Sequence, residues 1–516
     1  MAFVLIGFMG SGKSTLAAEL AAALSSAAHD SDALLEQRLG HPLAQEFAEH
    51  GEAVFREREE ELVCALLARA EPDEVVALGG GSVLSERVRA ALDGHVTVLL
   101  EVDPELAWER VQDSPDAAPR PLARDRAEFL NLHAARRELY RQLADAVLVE
   151  VPRGAAAGVA KALRALARAP AGAQLLWARS SSAEYPVLIA RGLLAAGAVA
   201  GELWPLDRAG SRPFCVSDES VCALYGDRLG ELLGTIAIAP GEGQKTLASA
   251  ELVWERLVAA GVTRADHLVA LGGGVVGDLA GFCAATYQRG IPVVQIPTTL
   301  VAQVDSAYGG KTGVDLPAAK NYVGVYHQPA GVLVDPDALA TLPAAELAAG
   351  WVEVLKTALI AGGALWQSVA GGAEVDQQMI FACARTKLAI VAADERDGGR
   401  RQLLNLGHTI AHAIETVTGY SRYRHGEAVG LGLLAALRLS GQDQLRALVR
   451  ELLLAHQLPV SYTATSADAV LEASARDKKR VGAKVPFVLV DAPGDVRYGC
   501  EVAEADVRAA VVELAA

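Results

Sequence analysis

Between an apolar run, Ala2 to Ile6, and a helical pattern from Leu16 to Leu24 stands Gly7-Phe8-Met9-Gly10-Ser11-Gly12-Lys13-Ser14-Thr15. This is GxxxxGK[ST] in a strand, loop and helix setting, and few short patterns restrict a fold as much. A strand must end where a helix begins, with a glycine-rich loop between them, which is the opening of an α/β unit. In that setting the backbone N–H groups of Gly10, Ser11 and Gly12, with Thr15 in the first turn, can wrap phosphates. Lys13 can reach the β/γ-phosphates and the Ser14 hydroxyl can ligate Mg²⁺. A nucleotide with Mg²⁺ is the ligand this arrangement takes.

Downstream come Asp30-Ser31-Asp32, then Gly51-Glu52-Ala53-Val54-Phe55-Arg56 with Glu59, then an apolar run, Val75 to Leu78, that meets Gly79-Gly80-Gly81. Each charged residue alone reads as a solvated face, as most Asp and Arg are. In this order behind a phosphate loop, the pattern resembles shikimate kinase over essentially all of the first 150 residues. The resemblance implies phosphorylation of shikimate by ATP with Mg²⁺. It also implies that Asp32 accepts hydrogen bonds from the ring hydroxyls, and that Arg56 and Arg136 hold the carboxylate with Gly80 beside the ring. Arg136 is placed by its spacing to Leu139-Tyr140, and Arg120, in Arg120-Pro121-Leu122, corresponds to a lid arginine over the phosphates. Phosphoryl transfer asks for positioning and for cations on developing charge, which Lys13, Mg²⁺ and Arg120 would supply.

From Glu150 to Ser182 the pattern thins into an Ala-rich helix broken by Ala169-Pro170-Ala171-Gly172-Ala173, so a domain boundary is expected near Pro170. Beyond it, the stretch from Val269 to Asn321 organises the larger part of the chain. An apolar run, Leu268 to Leu271, stops at Gly272-Gly273-Gly274 and continues as Val275-Val276-Gly277-Asp278 into a small-residue segment that reads as a helix. Glycines there let backbone approach a ligand, and a helix start favours a diphosphate. A tight turn that binds nothing has the same sequence. Pro297-Thr298-Thr299 ends a second apolar run, and Lys311 and Lys320 stand close to Asp305 and Asn321. No internal repeat links the two halves, so the triplets at Gly79 and Gly272 read as local coincidences.

Further on, Gly350-Trp351-Val352-Glu353-Val354-Leu355-Lys356 sets a carboxylate and an ammonium three positions apart on one helix face. Such a pair is ordinarily a surface ion pair, but its neighbours here are apolar. His408 and His412, in Asn405-Leu406-Gly407-His408-Thr409-Ile410-Ala411-His412, share a helix face at metal-ligand spacing, and spacing alone assigns both to a metal. A thermolysin-like site is excluded because Thr409, not Glu, follows His408.

From about Tyr185 to about Gly494 these residues resemble 3-dehydroquinate synthase, within a wider group that includes iron-dependent alcohol and glycerol dehydrogenases. The resemblance implies an α/β NAD-binding domain over 171–344 and an α-helical metal- and substrate-binding domain over 345–516. Asp218, Glu242 and Lys245 would contact the adenosine side of NAD, and Gly273, Gly274, Val275 and Asp278 its diphosphate region. Thr298, Thr299 and Thr341 would complete the cofactor site, with Lys311 and Lys320 beside it. Glu353, His408 and His425 would bind one divalent metal, Zn²⁺ or Co²⁺, leaving the open position a catalytic site requires, with His412 beside the substrate instead. Lys311, Lys356, Lys387, Arg401, Asn405 and His412 would position the substrate together with Asp305 and Asn321, and Arg289 would reach into a partner's site in a homodimer. One of Lys478 and Lys479, in Asp477-Lys478-Lys479, would meet the substrate phosphate.

Length and composition agree with this organisation. A chain of 516 residues exceeds one ordinary core, and 52% hydrophobic with only 5% aromatic residues is an Ala/Val/Leu balance suited to α/β folds with many helices. A formal charge of −16 disfavours a general nucleic-acid surface, so an anionic substrate must be met by local cations. The six cysteines form no CxxC pair, which argues against a zinc ribbon or a disulfide framework. No apolar stretch approaches the roughly 20 residues of a membrane span, and MAFVLIGFMGSGK lacks a basic n-region, so a cytoplasmic enzyme with small-molecule substrates is expected.

The reading is therefore a bifunctional α/β enzyme of the shikimate pathway. The first half would make shikimate 3-phosphate. The second would convert 3-deoxy-D-arabino-heptulosonate 7-phosphate to 3-dehydroquinate and phosphate. The rivals are a polyol dehydrogenase or related cyclase joined to another small-molecule kinase, and a nucleotide sensor without turnover. Lys311, Lys320 and Lys356 favour a phosphorylated substrate over a plain polyol, and Asp32, Arg56 and Arg136 together speak against a sensor.

Overall fold

A computed structural model describes residues 1–113, 125–149, 151, 154–195, 210–317, 319–463, 465–475 and 486–515. The chain divides into two compact units, the first mainly Met1–Ala178 with Glu184–Ala190, the second mainly Arg208–Ala516.

In the first unit five parallel strands lie in the order Ala28–Asp30, Val75–Ala77, Phe3–Ile6, Val96–Glu101, Ala146–Val149. Phe3–Ile6 is central and buried along its whole length, which explains a continuous apolar run in place of alternation. The chain lays strands on both sides of it, and such reversals in strand order leave a crevice at the carboxyl ends, where the phosphate loop begins. Gln174–Arg179 adds a further parallel strand beside Ala146–Val149, so this sheet continues past Pro170.

The second unit opens with another parallel sheet, ordered Gly331–Val334, Val293–Pro297, His267–Gly272, Pro213–Asp218, Gly234–Ile238. Numbered along the chain this is the order 2-1-3-4-5, and it reverses between the strands that end at Asp218 and Gly272. Val216, Leu268, Ala270, Leu279 and Val293 fill the core beneath. After Pro343 the chain becomes helical, with Ala344–Ala361, Gln377–Ala393, His408–Val417 and His425–Leu439 carrying the residues of interest. Within this helical last third Phe487–Ala492 and Asp495–Cys500 form an antiparallel hairpin. A run rich in Val followed by Pro493-Gly494 is strand and turn chemistry, and it prevails over the helical surroundings.

All six cysteines are free, and no helix among the described residues is long and apolar enough to cross a membrane.

Candidate active sites

In the first unit Gly12 adopts φ 91°, a left-handed conformation that a side chain would strain, and leads into helix Lys13–Leu24. No side chain caps that helix, so its first N–H groups open toward a ligand, with Ser14 and Thr15 exposed in the first turn and Gly10 at φ 78° in the loop before it. Lys13 folds over this loop and donates to the carbonyls of Gly7 at 2.8 Å and Phe8 at 3.0 Å.

Gly79, Gly80 and Gly81 gather the expected acceptor residues. A Cβ on Gly79 would stand 2.5 Å from Asp32 Oδ1, and one on Gly81 would stand 2.2 Å from Arg56 Nη1. Between them the Gly80 carbonyl accepts from Arg136 Nη1 at 3.2 Å. Buried Glu59 braces Arg56, with Nη1 donating to its carboxylate at 2.6 Å and Ser82 Oγ at 2.7 Å. Two guanidiniums and a carboxylate on one glycine floor suit a small acid that bears hydroxyls. Only Gly80 was expected here; the unbroken triplet was the available signal for Gly79 and Gly81. Arg120 lies outside the described residues.

In the second unit a cavity of about 1420 Å³ opens where the strand order reverses. Its walls include Asp218, Glu242, Lys245, Gly273, Gly274, Val275, Asp278, Thr298, Thr299, Asp305, Lys320, Asn321, Thr341, His412 and His425. Helix Gly274–Thr286 begins there without a side-chain cap, and a Cβ on Gly273 would stand 2.8 Å from Thr299 Cγ2. Asp218 accepts from the N–H groups of Ser220 and Val221 at 3.0 Å each, and Thr341 Oγ1 lies 2.9 Å from the Tyr225 hydroxyl.

Lys245 is buried among carboxylates, with Nζ 3.1 Å from Glu242, 3.2 Å from Asp278 and 3.8 Å from Asp315, and it donates to Asn321 Oδ1 at 2.8 Å. Burial opposes its charge, but these carboxylates outweigh burial and hold its pKa above the ordinary lysine value. One ammonium cannot satisfy all of them equally. Burial pushes the Asp278 carboxyl up to about 6 despite the Lys245 contact.

At the far end Asp305 stands on a single π-helical stretch, Ala302–Ser306, a distortion that recurs at functional sites. Lys387 pairs with its carboxylate at 2.8 Å and donates to its backbone carbonyl at 2.7 Å. Burial lowers the Lys387 pKa, which Asp305 only partly restores. Burial also opposes ionisation of Asp305, but Lys356 and Lys387 prevail and hold it well below the usual carboxylate range. Lys356 and Glu353 form a pair at 2.5 Å with both side chains only 1% exposed, so this is not the usual surface ion pair.

Glu353 Oε1 lies 3.9 Å from His408 Nε2 and 3.6 Å from His425 Nε2, and the three groups offer ligand atoms within 4.8 Å of one another. This oxygen is buried and has no hydrogen-bond partner among the described residues, a costly state that a cation would relieve. One carboxylate and two imidazoles fit a divalent metal with an open position. His412 stands outside the trio, its ring centroid 5.4 Å from that of His408 and 6.3 Å from that of His425. Glycines bring the three candidate ligands together from three helices. A Cβ on Gly426 would fall 1.8 Å from Ala349 O, and one on Gly432 would fall 1.9 Å from Gly407 O, so backbone meets backbone beside each ligand.

Several expected residues do not line the cavity. Lys311 donates to Asp397 at 2.6 Å, buried Arg401 donates to the carbonyls of Gly309 at 2.9 Å and of Glu395, and Asn405 ends the short helix Arg400–Asn405. Arg289 is exposed, with φ 69° after Gln288 at φ 48°. Asp477, Lys478 and Lys479 lie outside the described residues. Among the cavity residues the sequence reading did not single out is Glu415, which faces His425 and follows His408 and His412 at the i, i+4, i+7 spacing of one helix face.

Residues 9–167 match the family described as shikimate kinase, 235–349 the N-terminal part of 3-dehydroquinate synthase, and 350–480 its C-terminal part. The 3-dehydroquinate synthase of Halorhodospira halophila is 42% identical over 337 residues, covering 62% of this chain and 93% of that protein. Its counterpart in Caulobacter vibrioides is 43% identical over 359 residues, covering 64% and 95%. The solved structure of a 2-epi-5-epi-valiolone synthase from Streptomyces hygroscopicus subsp. jinggangensis, with NAD⁺ and Zn²⁺ bound, is 28% identical with a TM-score of 0.58, covering 64% of this chain and 96% of that one. The chain belongs to the 3-dehydroquinate synthase family and bears a shikimate kinase ahead of it, a fusion of two enzymes of the shikimate pathway.

Proposed function

We propose that each activity resides in its own segments: 1–170 phosphorylate shikimate, while 171–344 bind NAD and 345–516 hold the metal and the heptulosonate phosphate. In the kinase, Lys13 and the uncapped helix start hold the phosphates of ATP and Ser14 holds Mg²⁺, with Arg120 over them. Asp32 takes the ring hydroxyls, and Arg56 and Arg136 hold the carboxylate over Gly80.

In the synthase, bound NAD supplies hydride removal and return, and a bound Zn²⁺ or Co²⁺ at Glu353, His408 and His425 polarises the oxygen of the oxidised carbon. The start of helix Gly274–Thr286 receives the diphosphate, and Asp218 and Glu242 face the adenosine end. Thr298, Thr299 and Thr341 close around the cofactor. Lys245 fixes Asp278 and Asn321. Lys356 and Lys387, gathered around Asp305, give the anionic substrate its local cations, and His412 stands beside it. The enzyme acts in the cytoplasm as a homodimer through the synthase half, with Arg289 serving the partner's site.

The observation that carries this reading is the cavity at the strand-order reversal, lined by the expected cofactor residues and reaching His425, which lies within 4.8 Å of Glu353 and His408 by its ligand atom. The test is a pair of assays on the purified chain: shikimate with ATP and Mg²⁺, and the heptulosonate phosphate with NAD and Zn²⁺. ADP release that depends on shikimate, and phosphate release without net NADH, are expected. Accumulation of NADH would point to a plain dehydrogenase. The segment limits are tested by cutting at 170 or at 190 and assaying the pieces. Both cuts should leave kinase activity, the longer piece being the more stable because it keeps strand Gln174–Arg179.

A further inference from the structure

We infer that Glu415 is the positioning residue of the metal centre: its carboxylate takes the Nδ1 proton of His425 in a hydrogen bond and so leaves Nε2 free to ligate. The inference rests on the reading that Glu353, His408 and His425 hold a divalent metal.

The two ring nitrogens of His425 face two different carboxylates. Nε2 lies 3.6 Å from Glu353 Oε1, and Nδ1 lies 3.4 Å from Glu415 Oε1. His408 has the same polarity with another partner, its Nε2 turned to Glu353 and its Nδ1 3.1 Å from the Leu406 carbonyl. A neutral imidazole that ligates through one nitrogen carries its proton on the other, so the acceptor at Nδ1 selects the ligating atom and the ring angle.

The two rings differ in how firmly they are held. His408 is 11% exposed and its acceptor is backbone two residues away, which the turn itself supplies. His425 is 42% exposed and is the first residue of its helix, with no equivalent carbonyl contact among its hydrogen bonds. Its orientation must come from a side chain. Glu415 is only 5% exposed, and among the described residues His425 is the hydrogen-bond partner of its carboxylate. A carboxylate buried that deeply is costly without a partner, which argues for a purpose at this position. It also lies on the helix that carries His408 and His412, so one helix sets a ligand, a cavity histidine and the support of the second imidazole. Because Lys356 already neutralises Glu353, a carboxylate behind His425 adds the donor strength that the ion would otherwise lack.

The test uses the full chain, wild type and Glu415→Gln, which keeps the size of the side chain and weakens the acceptor. Zn²⁺ affinity is measured by competition with a chromophoric chelator, NAD affinity is measured in parallel, and NMR of the Co²⁺-loaded protein follows the shifted imidazole N–H resonances. Zn²⁺ binding weakened roughly 10- to 100-fold, NAD affinity unchanged and one imidazole N–H displaced while the other stays is the expected result. Unchanged Zn²⁺ affinity with both N–H resonances in place would overturn the role of Glu415 and leave the metal site standing. Parallel loss of NAD and Zn²⁺ binding would also overturn it, since a general defect of folding is then the cause. If the wild-type chain binds NAD but no Zn²⁺, the metal reading itself falls, and this inference with it.

Discussion

Two glycine triplets, Gly79–Gly81 and Gly272–Gly274, each follow a buried parallel strand, yet they serve opposite ends. In the kinase the triplet is a floor for polar side chains: Asp32, Glu59 and Arg56 press against positions that a Cβ would occupy. In the synthase the neighbours are Val276, Thr299 and Ser306, and the triplet runs directly into an uncapped helix whose N–H groups face the cavity. In the proposed function one triplet seats the groups that recognise an acceptor, and the other clears backbone for a cofactor. A run of glycines therefore reports close approach, and the side chains that approach decide what is bound.

The contrast can be broken most forcefully at Lys13. Lys13→Ala should lower shikimate phosphorylation by on the order of a hundredfold or more while synthase turnover stays normal, since the charge serves only the nucleotide of the first unit. Steady-state assays of both reactions on one preparation decide it, and near-normal kinase activity would remove the phosphate-loop assignment.

Gly81→Ala comes next. Its Cβ would displace the Arg56 guanidinium, and losing a charge-assisted contact of about 1.5–3 kcal/mol should raise KM for shikimate by roughly 10- to 100-fold with KM for ATP little changed. An equal rise in both constants would mean that the floor supports the whole domain and not one substrate group.

A smaller effect is expected from Asp278→Asn. The native carboxyl is raised from 3.8 to about 6, so the folded protein binds a proton that the unfolded chain has released in that interval. Stability should therefore fall as pH rises from about 4 to 6, by on the order of 2 kcal/mol, and the cost persists above that range. The variant should lack this slope and be the more stable at pH 8, because Lys245 keeps Glu242 and Asp315. Urea midpoints for loss of NAD binding at several pH values measure it; identical slopes would show that burial does not govern this group.

Gly273→Ala should do least. The Cβ would stand 2.8 Å from the Thr299 methyl, which must shift away, an overpacking of about 1 kcal/mol, so NAD should bind roughly fivefold more weakly and the kinase should not change. Full retention of NAD affinity would mean the turn relaxes freely and the triplet is only a turn.

The phosphate loop was legible because its chemistry is contiguous: strand, loop, Lys13 and helix follow one another in the chain. Asp32, Arg56 and Arg136 became legible only as an ordered set, since nothing local separates them from surface charges. The metal trio was harder. Helical spacing groups His408 with His412, yet His408 and His425 each begin a helix, and their meeting with Glu353 depends on crossings that no local period encodes. The Glu353–Lys356 pair looked like a surface pair by spacing, and only its apolar neighbours hinted at burial. Glycines such as Gly81 and Gly426 were opaque for the same reason: what presses on them comes from elsewhere in the chain. The hairpin after Phe487 shows the converse, since its valines and Pro-Gly turn are a local signal.

The contacts of Gly426 and Gly432 also bear on how the synthase acquires its ion. Backbone packed on backbone holds the ligand-bearing helices at their separation, and such packing needs no metal to form. Folding and loading are then distinct events, and the ion enters a vessel that is already shaped. Stripping it with a chelator should leave an apoprotein that reloads within the time of mixing, so that supply, and not the history of folding, decides which divalent ion the enzyme carries.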